Sequence, residues 1–496
     1  MDISRYTQRK SVDQLMQAAG ESHLRRALGP WNLIALGIGA VIGAGIFVIT
    51  GTAAAQYAGP GIMLSFVLGA IACGFVGLCY TEFATLIPVS GSAYTYTYAT
   101  LGEFAAWIIG WDLILEYAMV GATVSVGWSG YFVSLLRDLG LHIPAQLTAS
   151  PGTLVALADG TQTTAWFNLP AFLVVAGLTA LLITGVRESA RFNVAIVAVK
   201  MTVVLVFIAV GVGYVVTANW RPFIPENTGQ FGQFGFSGVL RGAAVVFFAY
   251  IGFDAVSTAS QEAKNPQRDM PIAILGSLLI CTILYMAVAA VLTGLVPYAK
   301  LNVPDPVAVG IDVIGVPWLA ILIKIGALTG LTSVILVFLY GQSRIFLAMS
   351  NDGLLPPVFQ VLHPRFLTPY LGQVLLGLVV GVVGGLVPIA ILGELVSIGT
   401  LFAFIVVCAA VLYLRRARPE LKRPFRCPFV PVVPIGGILC CLSLMIGLPL
   451  DTWVRLVVWW AIGFIIYFAY GRSHSTLTTT QVSLPKTPLS PGTAGY

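Results

Sequence analysis

The 496 residues are 58% hydrophobic and only 9% charged, with mean hydropathy +0.92 and a formal net charge of +6. Soluble domains carry about 25% charged residues. A soluble enzyme is therefore excluded, and so is a nucleic-acid-binding protein, because no soluble domain exists to carry a basic face. The seven cysteines (Cys73, Cys79, Cys281, Cys408, Cys427, Cys440 and Cys441) fall in apolar stretches or in one basic loop. None has a spacing that suggests zinc or a disulfide, and no cofactor or metal is called for.

The first 28 residues are polar and basic (Arg5, Arg9, Lys10, Arg25, Arg26). No apolar stretch precedes Trp31, so they read as a cytoplasmic N-terminal segment and not as a signal peptide. Twelve apolar stretches follow, near 31–55, 62–87, 104–134, 166–185, 193–217, 238–261, 272–296, 317–349, 371–390, 393–414, 428–449 and 453–471. Each is long enough to cross a bilayer core of roughly 30 Å as a helix. The short alternating segments of a membrane barrel do not recur. The chain is predicted to be an all-α integral membrane protein with about 12 transmembrane helices. Residues 473–496, rich in Ser, Thr and Pro, read as a disordered cytoplasmic tail.

The positions of Lys and Arg orient these helices. With the N-terminus inside, the inner side receives the five basic residues before span 1, Arg187, Arg191, Lys264, Arg268, Arg344, Arg365, Arg472 and Lys486. It also receives the six within LRRARPELKRPFRCPFVPVVP (414–434). The outer side receives only Arg137, Arg221, Arg241, Lys300 and Arg455. Both termini are expected in the cytoplasm, in a multi-pass protein of the cell (inner) membrane. The basic loop 414–427 reads as a topogenic anchor in contact with anionic lipid.

Span 1 contains GIGAVIGAGIF (37–47), in which Gly37, Gly39, Gly43 and Gly45 interrupt an apolar run. Gly39 and Gly43 also form a GxxxG pair, whose packing role would leave the helix intact. Span 6 contains FFAYIGFDAVST (247–258), with Gly252 two residues before Asp254. Interrupted spans one and six occupy corresponding places in two five-span halves, the pattern of an inverted-repeat transporter. An unwound helix in lipid exposes N–H and C=O groups at a cost of several kcal/mol each unless they are satisfied. The positive end of one half-helix suits a carboxylate, and free carbonyls suit an ammonium. A zwitterionic amino acid supplies both. The halves are then 29–217 and 218–414, with two additional helices over 415–472.

Ionisable residues at membrane depth need a reason. Asp112 and Glu116 share one face of span 3, and Asp254 lies in span 6. Lys200, nine residues beyond Arg191, lies roughly 14 Å deep. It is either half of a static ion pair with Asp254 or Glu116, or a titrating proton carrier. Glu116 could attract a cationic side chain or relay protons. Blander roles suit the rest. Glu82, Glu103, Glu188, Glu262 and Asp352 lie near span ends, Lys324 is placed to snorkel towards the outer face, and Glu394 opens span 10.

The stretches CYTEFATLIPVSGSAYTYTYATLGE (79–103), FFAYIGFDAVST (247–258), EAKNPQRDMPIAI (262–274) and AMSNDGLLP (348–356) resemble signatures of the cationic amino acid transporter family. The match is to its bacterial branch, within the amino acid–polyamine–organocation superfamily. The resemblance runs from about residue 22 to 472. It implies a leucine-transporter-type 5+5 inverted repeat plus two C-terminal helices, with helices 1 and 6 discontinuous. It also implies that spans 1, 2, 6 and 7 rock against spans 3, 4, 5 and 8.

Carried onto this chain, the resemblance puts the substrate carboxylate at the Gly43, Ala44 and Gly45 backbone. The ammonium falls near the carbonyls of Val41, Ile42, Phe248, Ala249 and Ile251. Glu116 and Phe338 then line the side-chain end, where the Phe338 ring favours small neutral amino acids and Glu116 a cation. Lys200 matches a lysine that stands where sodium would otherwise sit in members without sodium dependence, and Thr332 and Ser333 match the hydroxyl pair of that cation site. Proton coupling through Lys200, Asp254 and Glu116 is implied. The animal members lack the counterparts of Asp112, Glu116 and Lys200, so their facilitated cation transport does not carry over.

The leading expectation is a secondary active permease for L-amino acids, alanine-like or cationic, driven by protons through alternating access. The rivals are a proton-independent exchanger and, from another class, an amino acid receptor that moves nothing. An enzyme is disfavoured by the absence of a nucleophile–base pair, metal cluster or phosphate loop at membrane depth. The expected partners are the amino acid, protons and the lipid bilayer. The sequence does not say whether a small single-span subunit accompanies the chain.

Overall fold

The computed structural model describes residues 28–87, 92–156, 161–184, 190–258, 260, 263–366 and 368–476. The N-terminal segment read from the sequence, Arg187, Glu188, Glu262 and the tail beyond 476 lie outside the described residues.

Among these, seven helical runs are long and apolar enough to cross a membrane by themselves, and five shorter apolar helices complete twelve passes. Span 1 is Pro30–Val41 followed, after a break, by a helical stretch over 45–58. Spans 2 to 5 are Ile62–Leu86, Glu103–Asp138, Leu169–Ile183 and Ala190–Gly211. Span 6 is Gly235–Val246, extended by one turn over Phe247–Tyr250 and resumed at Ala255–Thr258. Spans 7 to 12 are Pro266–Leu295, Pro317–Asn351, Tyr370–Leu386, Ile389–Ala417, Val432–Gly447 and Leu450–Ile466. Two helices do not span: α1 (Ser92–Thr100) precedes span 3, and α2 (Pro306–Asp312) precedes span 8. A small hairpin, β1 (Leu154–Ala156) with β2 (Gln162–Thr164), joins spans 3 and 4.

Local chemistry sets many of the boundaries. Proline opens the helices at Pro30, Pro266, Pro306 and Pro317, where its missing N–H costs nothing. Asn168 caps span 4 by accepting from the Ala171 amide at 3.3 Å.

Helix packing carries the repeat. Span 1 packs on span 7 and span 6 on span 2; span 3 packs on span 10 and span 8 on span 5; span 4 packs on span 9. Spans 3 and 8 form the central contact. Exchanging each helix for the one five places later leaves this set of pairs unchanged. Five is odd, so the second half crosses in the opposite direction, which is the 5+5 inverted repeat. Span 11 packs outside spans 10, 2 and 6, and span 12 against spans 10 and 3.

Buried polar residues near the span ends find specific partners, and two regions differ from their sequence reading: Lys324 and the start of the tail. Lys324 does not snorkel: it is fully buried, with its ammonium 2.7 Å from Asp138 and 3.0 Å from Asp312. Glu394 reaches across to span 12, accepting from the Thr452 hydroxyl at 2.8 Å. Glu82 pairs with Arg415 at 2.7 Å and Arg423 at 3.1 Å, and accepts from the Cys427 amide at 2.8 Å. Residues 473–476, read as the start of the tail, are packed against the bundle. Ser475 is buried and donates to Glu103, which also accepts from Tyr98 and Tyr467 at 3.2 and 3.1 Å.

Candidate functional site: the facing breaks of spans 1 and 6

Span 1 stops being helical at Ile42 (φ −74°, ψ 104°) and resumes in a π-helical turn at Gly45. Span 6 stops at Ile251 (φ −62°, ψ 134°) and turns through Gly252 at φ +112°. The packing-only reading of the span 1 glycines, which required an intact helix, is thereby overturned.

Two of the glycines are forced by geometry. A Cβ on Gly45 would lie 2.3 Å from the Ala249 Cα, so the two breaks touch there. A Cβ on Gly252 would lie 2.9 Å from the Ala40 carbonyl oxygen, and its φ disfavours any other residue.

The freed carbonyls are met by side chains from neighbouring helices. Lys200, fully buried on span 5, donates to Gly39 O at 2.9 Å and Ile42 O at 3.1 Å. Its aliphatic stem crosses span 8 at Gly330, where an added Cβ would lie 3.2 Å from it. Lys200 therefore caps the end of the first half-helix. Tyr285 on span 7 lies between both breaks, its hydroxyl 2.8 Å from Val41 O and 2.7 Å from Ala249 O. The sequence reading missed Tyr285.

Beside the breaks lies a small cavity lined by Ala40, Val41, Gly43, Ala44, Gly45, Val120, Val124, Phe248, Ile251, Val334 and Phe338. Its water-accessible space is about 10 Å³, room for about one water molecule. One wall is backbone, where the Gly43–Gly45 amides open the second half-helix and no preceding turn supplies them with carbonyls. The opposite wall is apolar: two valines of span 3, and Val334 and Phe338 of span 8. Tyr117 packs edge-on against Phe338 at 5.0 Å between ring centres, fixing the ring.

The structure therefore brings Val41, Gly43, Ala44, Gly45, Phe248, Ile251 and Phe338 to one cavity. Ile42 and Ala249 sit behind it, their carbonyls occupied by Lys200 and Tyr285. Glu116 is not in the lining. It is buried close to Asp254 and the Thr400 hydroxyl. Asp254 also faces Tyr80, Tyr96 and Tyr117. Asp112 is fully buried against Gly399, with the Trp460 indole of span 12 facing its carboxyl. On span 8 the Thr332 hydroxyl donates to Leu328 O at 2.8 Å and accepts from Trp128 at 2.9 Å, while Ser333 donates to Gly330 O at 2.9 Å.

An inverted-repeat helical bundle with two facing broken spans and a small cavity beside them defines a solute carrier. The chain belongs to the amino acid permease family, whose model matches residues 28–470. It is 51% identical to the branched-chain amino acid permease BcaP of Bacillus subtilis, over 95% of this chain and 98% of that one. It is 48% identical to the methylthioribose transporter of the same organism, over 96% of this chain and all of that one. It is 36% identical to the chloroplastic cationic amino acid transporter 9 of Arabidopsis thaliana, over 94% and 91% of the two chains. The protein is thus a multi-pass membrane permease of the amino acid–polyamine–organocation superfamily, and not an enzyme.

Proposed function

We propose that the protein imports neutral L-amino acids with short or branched apolar side chains, by alternating access and with a proton. The observation that carries this reading is the cavity wall: amide groups at Gly43–Gly45 on one side, only Val, Ile and Phe side chains on the other. A carboxylate suits the amide end. A guanidinium or ammonium at the Val120, Val334 and Phe338 end would be a buried charge without a partner, which is costly. The hydroxyls of a thiosugar would find no polar side chain there either. The name of the 51% identical relative points the same way.

In this reading the substrate ammonium takes the Val41 and Ala249 carbonyls that Tyr285 now holds. Lys200 stands in the cation site beside Ser333 and Thr332. The proton moves among Lys200, Glu116 and Asp254, whose burial makes their charge states respond strongly to one another. Both termini are cytoplasmic in the cell membrane, so α2 lies on the outer face and α1 on the inner.

Uptake of radiolabelled leucine, isoleucine, valine, alanine, arginine and methylthioribose into proteoliposomes tests this reading. It predicts accumulation of the apolar amino acids in empty, acid-outside vesicles. Transport of arginine in preference to leucine would refute it.

A further inference from the structure

The space beside the breaks has room for about one water molecule, so the side chain of valine or leucine enters only if a wall gives way. The backbone wall has no slack, because Gly45 already lies against Ala249. On the apolar wall, Val334 is pressed against Gly43, where an added Cβ would lie 3.0 Å from it. Val120 and Val124 are β-branched residues within a helix, each held to one strongly preferred rotamer. Phe338 differs. Its ring turns about two side-chain torsions and is the part of this wall that can swing aside.

How far it swings is decided behind the cavity. Phe338 and Gly341 lie three residues apart on one face of span 8, and Tyr117 lies three residues before Val120 on one face of span 3. Spans 3 and 8 form the central contact, and the Tyr117 ring fills a slot between them. On one side it meets the Phe338 ring, 5.0 Å away between centres and inclined at 60°. Edge-to-face contact of this kind is attractive. On the other side it covers Gly341, where a Cβ would lie 2.8 Å from Tyr117 Cε1 and 3.3 Å from Cδ1. Only glycine leaves the ring that seat. Tyr117 is buried, yet it is not among the residues that line the cavity.

We propose that Tyr117, seated on Gly341, sets the largest side chain the site accepts, as a stop behind Phe338. The inference rests on the reading of the cavity as an amino acid site with Phe338 at its side-chain end. Tyr117 touches no substrate and acts through Phe338, so it is a positioning residue. Emptying the slot lets the Phe338 ring retreat, and the site then takes an aromatic side chain. Crowding the slot with a methyl group on Gly341 drives Tyr117 against Phe338 and favours the smallest substrate. The ring and not the hydroxyl makes both contacts, so phenylalanine in place of Tyr117 keeps the native range.

The test is uptake of radiolabelled alanine, leucine and phenylalanine by the full chain in proteoliposomes. Uptake is read as ratios within each preparation, so a loss of folded protein cancels. Tyr117→Leu should raise the phenylalanine-to-alanine ratio about tenfold, and Tyr117→Phe should leave it at the native value. Gly341→Ala should lower the ratio by about as much, and adding Tyr117→Leu to Gly341→Ala should restore it. An unchanged ratio in Tyr117→Leu would overturn the proposal, as would an unchanged ratio in Gly341→Ala should the first variant not fold. A native chain that carries none of the three amino acids would overturn the underlying reading of the site as well, and that result needs no variant.

Discussion

The two broken spans solve the same problem with different chemistry. At the first break a buried cation does the work: Lys200 donates to Gly39 O and Ile42 O. At the second the backbone closes on itself, with the Ile251 amide donating to Phe248 O at 3.2 Å and the Ser257 amide to Asp254 O at 2.8 Å. The Tyr285 hydroxyl reaches both, at Val41 O and Ala249 O. The first break is thus capped by a basic side chain from span 5, and the second by its own backbone, with the acidic Asp254 two residues beyond Gly252. The lesson is that a pair of breaks can be symmetric in backbone and asymmetric in charge. That asymmetry would make the two halves of the site respond differently to protonation.

Removing the cation breaks the comparison most severely. Lys200→Met leaves two buried carbonyls without a charged donor, at about 1.5–3 kcal/mol each. Gradient-driven uptake should fall by about 100-fold or more, while substrate binding, read by scintillation proximity, persists. Equal loss of binding and uptake would mean that Lys200 is a structural tie only.

Gly45→Ala strikes where the breaks touch. Its Cβ would meet the Ala249 backbone, and overpacking of this kind costs about 1–3 kcal/mol. A melting temperature lowered by several degrees and uptake reduced about tenfold are expected. Gly252→Ala, strained at φ +112°, should behave alike, and a silent variant at either position would show that the contact is looser than described.

Tyr285→Phe tests the shared hydroxyl. Because the substrate ammonium must displace that hydroxyl from the Val41 and Ala249 carbonyls, its loss predicts a KM lowered about five- to tenfold with kcat little changed. Phe338→Ala should have the mildest effect on leucine, a few-fold in KM, while admitting larger side chains. An unchanged substrate range in that variant would move the side-chain end of the site elsewhere.

The parts of this architecture that were legible in the sequence are those with a local signature. A glycine cluster marked the first break, Gly252 in the corresponding span of the other half marked the second, and the depth of Lys200 marked it as a residue in need of a partner. Two of its partners are backbone carbonyls freed by a break 158 to 161 residues away, which leave no trace in composition. Tyr285 was invisible for the same reason: one tyrosine in an apolar helix is ordinary. Lys324 was read as snorkelling because its carboxylates, one of them 186 residues distant, meet it only through folding. One signal was present and went unread. Asp112, Glu116, Val120 and Val124 recur every four residues on one face of span 3, so the stripe bearing the acids runs on into the cavity wall.

The most direct test of the central claim is leucine uptake into empty proteoliposomes under an inward proton gradient, with the native chain and Lys200→Met side by side. The account predicts gradient-dependent accumulation by the native chain and its loss in the variant. Uptake that requires preloaded amino acid and ignores the gradient would contradict it, leaving Lys200 as a clasp between spans 1 and 5.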